Sequence, residues 1–186
     1  MKTIFFNNIN IENREEQSDR LNISGYICHF NRENLNMEVV DSNSFDTFFE
    51  MYKSGKLKPI MNYNHDNNQI IGGIDNIEVK ENGLYMQAYL NRGVRLNDDM
   101  LIPNIMAGTV NGLSTEGFIQ DGYDGIVELE SGGYYVKNFI LTAVAVTATP
   151  ADWDAKFSLN SFISEYIEKK KETENEIVKK LKWFNL

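Results

Sequence analysis

The sequence predicts an α+β fold: a mostly antiparallel β body, a few surface helices and a helical C-terminal tail. Three observations predict it. Short runs rich in Ile, Val, Tyr and Phe recur between Asn-Gly, Gly-Gly and Asp-Gly breaks, the punctuation of hairpin-linked strands. Helical spacing is confined to a Phe45, Phe48, Phe49, Tyr52 stripe, to Arg92–Ala107 and to the C-terminal end. Leu141–Ala148 is small or apolar throughout apart from two threonines, as in a strand buried on both faces.

Taken in order, the residues from Met1 to about Arg20 predict an edge strand and then a polar loop. Leu21–Phe30 predicts a strand, with Asn36–Val40 as its hairpin partner. Ser42 or Asn43 caps a short amphipathic helix that Gly55 closes. Lys58–Asn64 is the next strand; it ends at His65, and Asp66-Asn67-Asn68 forms the turn. Gln69–Lys80 and Leu84–Asn91 form a hairpin around Asn82-Gly83, the strongest short hairpin signal. Arg92–Ala107 predicts a helix broken near Pro103, with Val94, Met100, Leu101, Ile105 and Met106 as its apolar face. Thr109–Gln120, Ile126–Glu130 and Tyr134–Val146 are strands, and Pro150 ends the last. The expected division is a β-rich domain over residues 1–157 and a helical tail over 158–186.

Composition excludes several classes. The chain has 186 residues and a net charge of −9, so a phosphate backbone repels it and no nucleic-acid partner is expected. Its one basic cluster, Lys169-Lys170-Lys171 with Lys179, Lys180 and Lys182, is interleaved with glutamates and reads as a solvated helix face. No apolar run approaches the roughly 20 residues that span a bilayer, so no membrane partner is expected, and the start turns polar too quickly for a secretory signal. Cys28 is the single cysteine, which rules out an internal disulfide and fits a reducing cytoplasm. Two distant histidines and one cysteine do not make a zinc constellation, and Asn97-Asp98-Asp99 reads as a loop or helix cap. No metal or cofactor is expected.

The chemistry gathers on His65, in Asn62-Tyr63-Asn64-His65-Asp66, and Ser114, in Gly112-Leu113-Ser114-Thr115-Glu116-Gly117. A serine hydroxyl attacks a carbonyl only when an adjacent base takes its proton. The pair therefore points to acyl transfer, most simply peptide-bond hydrolysis, with Ser114 as nucleophile and His65 as general base. Otherwise His65 is a surface histidine in an Asn-rich turn and Ser114 a serine at a strand end. An acid to orient the histidine is less defined. Glu116, two residues from Ser114, shares its face on an unbulged strand and is the first candidate. Asp66 points to the opposite face from His65, Thr147 lacks charge, and Asp152 and Asp154 read as helix caps or solvated residues. His29 reads as a half-buried strand residue. The oxyanion donors are expected among backbone N–H groups near Ser114 or in the loops around Arg92–Arg95.

From about Gly25 to Ala155 the order of phrases resembles the tailed-bacteriophage prohead (head maturation) serine proteases. Those phrases are Asp41-Ser42-Asn43-Ser44-Phe45, His65-Asp66, Gly72-Gly73, Asn82-Gly83-Leu84, Gly112-Leu113-Ser114 with Gly117-Phe118, and the Leu141–Thr149 strand into Pro150-Ala151. The resemblance implies the barrel-like fold shared with herpesvirus assemblins. It also implies an endopeptidase acting in the host cytoplasm inside the assembling prohead. Its substrates would be the scaffold or a scaffold-like segment of the major capsid protein, and also itself; homo-oligomerisation is a further expectation, and the tail reads either as a docking or self-cleaved segment or as one that folds back on the body or dimerises. Two departures stand out. Two residues rather than one separate Ser114 from Gly117, which a β-bulge near Gly117 would absorb. Ala143 occupies the last-strand position where the family places an acid. The alternative reading is a weak or inactive relative that binds scaffold during capsid assembly.

Overall fold

The computed structural model describes residues 19–155 and the backbone of residues 157–159. The expected N-terminal edge strand and nearly all of the expected tail lie outside the described residues. The body is a seven-stranded curled sheet, a half-barrel. It contains β1 (Arg20–His29), β3 (Ile60–Tyr63), β4 (Asp66–Lys80), β5 (Gly83–Asn91), β6 (Gly112–Ile119), β9 (Phe139–Thr147) and β10 (Phe157–Leu159), in the order β10-β1-β5-β4-β3-β9-β6. Every pairing is antiparallel except β3 with β9, which is parallel. The chain is still extended at Ser158 and Leu159, where the sequence pattern is helical.

β9 is buried along almost its whole length, as its unbroken apolar run predicts. The β4–β5 hairpin forms as expected, but its loop is Glu81-Asn82, with Gly83 already paired to Lys80. Gly83 is needed there for close approach, since a Cβ would lie 2.0 Å from the Cys28 carbonyl oxygen on β1. Across the open side of the curled sheet, β1, next to the β10 edge, approaches the edge strand β6. The segment after β9 bridges this gap: Leu113 N–H donates to Ala155 O at 2.7 Å, and Leu35 N–H to Ala151 O at 2.9 Å.

A second, three-stranded sheet holds β2 (Glu38–Val39), β8 (Tyr134–Val136) and β7 (Ile126–Glu128). This corrects the expected hairpin between β1 and Asn36–Val40: β2 instead pairs in parallel with β8. The expected strand over Tyr134–Val146 is split into β8 and β9 at Lys137-Asn138, where Asn138 takes φ 47°.

Helix α1 (Asp46–Lys53) follows a 3₁₀ turn over Ser42–Phe45. The side-chain cap belongs to that turn and is Asp41 rather than Ser42 or Asn43; α1 itself starts from Phe45 with no side-chain cap. The Asp41 carboxylate accepts from Asn43 N–H at 2.9 Å and Ser44 N–H at 3.1 Å, and Ser44 Oγ accepts from Asp41 N–H, completing a capping box. Pro103 does not break the second helical segment; it sits in the first turn of α2 (Ile102–Met106), after a wide π-type turn over Leu96–Leu101. Leu101, Ile102 and Ile105 are buried, but Met100 and Met106, expected on the apolar face, are exposed. The wide turn shifts the helical phase, so a simple 3.6-residue pattern misplaces them.

Phe45 and Phe48 insert into a core built from Ile23, Met61, Ile71, Met86, Leu113, Val144 and Val146. Phe48 is completely buried and stacks on Tyr52, with ring centroids 5.5 Å apart. Phe48→Ala is therefore expected to cost about 3–5 kcal/mol. Urea unfolding monitored by circular dichroism measures this; a loss near zero would mean that α1 contributes little to the core.

Candidate active site

His65 lies in a two-residue hairpin loop. Tyr63 of β3 pairs with Asp66 of β4, leaving only Asn64 and His65 between them, with φ 52° and 62°. Two positive φ values mark a type I′ turn, which favours Asn-Gly. Asn64 fits; a histidine in the second position costs roughly 1–2 kcal/mol in left-handed strain, and such strain clusters at functional sites. This corrects the expected Asp66-Asn67-Asn68 turn. Those residues begin β4, because the tighter loop lets the ladder start at Asp66, three residues before the expected Gln69.

The sheet register brings Ser114 and Glu116 to the same region. Ser114 pairs with Ala145, and Ala145 with Asn62, so these three residues form one row across β6, β9 and β3. Two residues along, Glu116, Ala143 and Ile60 form the next row on the same face. Ala143 and Ala145 are 1% and 0% exposed, a low floor between the outer strands. Above it the Glu116 carboxylate reaches His65: Glu116 Oε2 is 3.2 Å from His65 Nδ1. Asn67 Nδ2 donates to Glu116 Oε1 at 2.8 Å, and Asn62 Nδ2 donates to Oε2 at 3.3 Å. Partial burial disfavours the charged carboxylate. The amides and the ring outweigh it and hold the Glu116 carboxyl below the ordinary glutamate range.

A bulge does interrupt the ladder at Gly117, but the extra residue is on β9. Glu116 faces Ala143 and Gly117 faces Leu141, which leaves Thr142 unpaired. Thr142 Oγ1 donates to the Glu116 carbonyl at 3.2 Å. A Cβ on Gly117 would lie 2.1 Å from Ile140 O, so glycine is required where the strands close up.

His65, Ser114 and Glu116 line one cleft of about 510 Å³, walled by Val40, Phe45, Val136 and Phe139 and rimmed by Thr149, Pro150 and Ala151. With Nδ1 turned to Glu116, the other ring nitrogen of His65 has no partner among the described residues. Ser114 is 5% exposed, and its hydroxyl makes no hydrogen bond to a described residue, His65 included. Catalytic hydrogen bonds in unliganded active sites are often long and tighten only in the complex with substrate. The chemistry available is nucleophilic attack by the hydroxyl with proton transfer to the ring.

The other candidates lie elsewhere or in other roles. The Asp66 carboxylate is bonded to Asn68 and Gln69, not to His65. Thr147 Oγ1 accepts from Thr149 N–H. Arg92 and Arg95 pair with Asp98 and Asp99 and do not line the cleft, and Asn97 is buried with its amide on the Ile71 and Asn91 carbonyls. Burial pushes the Cys28 thiol up to about 12, leaving no thiolate at neutral pH. Among the described residues no group of three or more His, Cys, Asp or Glu side chains is arranged to hold a metal.

Asp152 and Asp154 are neither helix caps nor merely solvated. Arg32 donates to both carboxylates, and Asp152 Oδ2 accepts from His29 N–H at 2.7 Å and lies 2.8 Å from His29 Nδ1. This ionic latch ties the segment after β9 to β1. Burial opposes ionisation of Asp152, but His29 and two backbone N–H groups hold its carboxyl below the ordinary aspartate range. Sequence reasoning missed Arg32, Asn62 and Asn67. An asparagine inside a strand, as at Asn62, was the available signal, since strands disfavour it.

The profile of the caudovirus prohead serine protease family matches residues 7–171. The bacteriophage T4 capsid assembly protease gp21 aligns over 69% of this chain and 82% of its own, at 21% identity and a TM-score of 0.58. The KSHV protease, solved with a hexapeptide phosphonate inhibitor, aligns over 74% of this chain and 64% of its own, at 12% identity and a TM-score of 0.51. No curated protein sequence matches significantly.

Two stability measurements test this geometry. His65→Gly should be more stable than His65→Ala, which equally lacks the Glu116 contact, by about 0.5–1 kcal/mol after the entropy cost of glycine; an alanine variant that melts higher would contradict the strain. The depressed Asp152 carboxyl contributes stability that is present above the ordinary aspartate range and lost as pH falls through its folded value. Asp152→Asn should therefore cost about 1–2 kcal/mol near neutral pH, with the gap from wild type closing in acid. A gap that does not depend on pH would rule out the ionic latch.

Proposed function

Given that the chain belongs to the caudovirus prohead serine protease family, we propose that it is an active endopeptidase using Ser114, His65 and Glu116. The observation that carries this reading is the 3.2 Å contact from Glu116 Oε2 to His65 Nδ1 in the cleft that Ser114 lines. Ser114 Oγ attacks the scissile carbonyl as His65 Nε2 takes its proton. Glu116 holds the Nδ1 proton and stabilises the imidazolium. His65 then gives the proton to the leaving amine, and water releases the acyl group by the reverse route.

Glu116 answers the loss of the acid at Ala143. The two residues are direct partners across β6 and β9, so the charge moves one strand over, and the small Ala143 side chain leaves room for it. For the oxyanion donor we favour the Thr115 N–H. Leu113 N–H points off the free edge of β6, toward Ala155 O, and strand alternation puts the Thr115 N–H on that edge too, beside Ser114.

The substrates we propose are proteins of the assembling prohead: scaffold, or a scaffold-like segment of the major capsid protein. The T4 neighbour is a capsid assembly protease, and the inhibitor in the KSHV protease is a hexapeptide, both in keeping with an extended peptide in the cleft. Cleavage of its own tail and self-association belong to the same reading, as does action inside the prohead in the host cell. Among the described residues no helix is long and apolar enough to cross a membrane.

A reporter-tagged alkyl fluorophosphonate tests the reading, because it labels only an activated serine. Wild type should be labelled on Ser114; Ser114→Ala should not be labelled, and His65→Ala should react at least about 10³-fold more slowly. Neutralising a buried triad acid costs about 10⁴-fold. The Glu116 side chain is 28% exposed, so water compensates in part and Glu116→Gln should cost about 10²- to 10³-fold. Labelling that survives Ser114→Ala would overturn the assignment.

A further inference from the structure

Resting on the reading of Glu116 as the acid that orients His65, we infer that Asn62 and Asn67 are positioning residues, an amide cradle that aims the Glu116 carboxylate at the ring. Each carboxylate oxygen has its own amide donor: Asn67 Nδ2 on Oε1 at 2.8 Å, and Asn62 Nδ2 on Oε2 at 3.3 Å. Asn62 Nδ2 also donates to Asn67 Oδ1 at 2.7 Å, which turns the Asn67 NH₂ toward Glu116. The amide orientations are fixed by this network. Flipping Asn62 would set its oxygen against Asn67 Oδ1 and Glu116 Oε2, acceptor against acceptor. Glutamate has one more rotatable bond than aspartate and, unheld at a partly exposed site, turns out into water. The cradle removes that freedom.

Folding alone gives no reason for Asn62. It is 0% exposed, in the row with Ala145 and Ser114, and its Oδ1 has no hydrogen-bond partner among the described residues. A buried unpaired acceptor is destabilising, and an apolar side chain of the same shape would avoid that cost. Strands also disfavour asparagine. A residue that weakens the fold while donating to the acid is what a positioning role requires.

The test uses the full chain and two readouts. In fluorophosphonate labelling, Asn62→Leu and Asn67→Ala should each slow the reaction about tenfold, with Asn62→Leu melting no lower than wild type. Asn67→Asp, which sets an anion against Glu116, should be slower than Asn67→Ala, whereas a mere space-filling role would favour Asp. In a Glu116→Gln background both asparagine substitutions should lose most of their effect; full multiplicative losses there would overturn the inference. The second readout does not depend on serine chemistry. With only two histidines in the chain, the downfield Nδ1 proton of His65 can be assigned by NMR against a His29→Asn control. It should move upfield or broaden in the Asn62→Leu, Asn67→Ala double variant, and an unchanged resonance would overturn the cradle. If labelling survives Ser114→Ala, the peptidase reading fails, and the resonance still decides whether the amides hold the carboxylate on the ring.

Discussion

The parallel pairing of β3 with β9 is the constraint on which the rest of the structure depends. β9 lies between the strand that leads to His65 and the strand that carries Ser114 and Glu116. Its register sets Asn62, Ala145 and Ser114 in one row and Ile60, Ala143 and Glu116 in the next. A slip of one residue in either pairing would turn the side chains of the slipped strand to the opposite face and break these rows. The register resists slipping because Leu141, Val144 and Val146 fill the core while Ala143 and Ala145 are buried on the other face. Packing energy on one side of β9 thus fixes the geometry of the candidate site on the other.

Around this centre the protein accepts local costs. His65 takes a backbone conformation that suits glycine, and the buried Asn62 oxygen and the hydroxyl of Ser114 in the cleft both lack a described partner. The cleft rim is held from outside the sheet. Arg32 and His29 grip Asp152, Arg32 grips Asp154, and the Leu113–Ala155 and Leu35–Ala151 hydrogen bonds fasten the same segment. Strain at His65 beside a fastened rim fits the proposed reading of the cleft as a seat for an extended chain.

Much of the frame was legible in the sequence because its signals are local. The apolar run of β9, the β4–β5 hairpin and the phenylalanine stripe of α1 each follow from a short window. That Glu116 shares a face with Ser114 was legible from alternation alone. What escaped notice depends on residues distant along the chain. Nothing near Arg32 points to Asp152 and Asp154, and nothing near Asn36–Val40 says that β2 pairs with β8 rather than β1. The bulge opposite Gly117 was foreseen on β6, but the spare residue is Thr142, since which strand holds it depends on how both strands pack. The loop at Asn64-His65 was missed because histidine is a poor type I′ residue, and that breach of local preference is itself a functional signal.

The central claim is that this sheet register brings one hydroxyl, one imidazole and one carboxylate into a single relay. A crystal structure of the full chain trapped with a peptide phosphonate tests it most directly. The account predicts phosphorus bonded to Ser114 Oγ, His65 Nε2 within hydrogen-bond distance of that oxygen, and Glu116 still on Nδ1. A phosphonate on another residue, or a His65 ring turned out of the cleft with Ser114 modified, would contradict it.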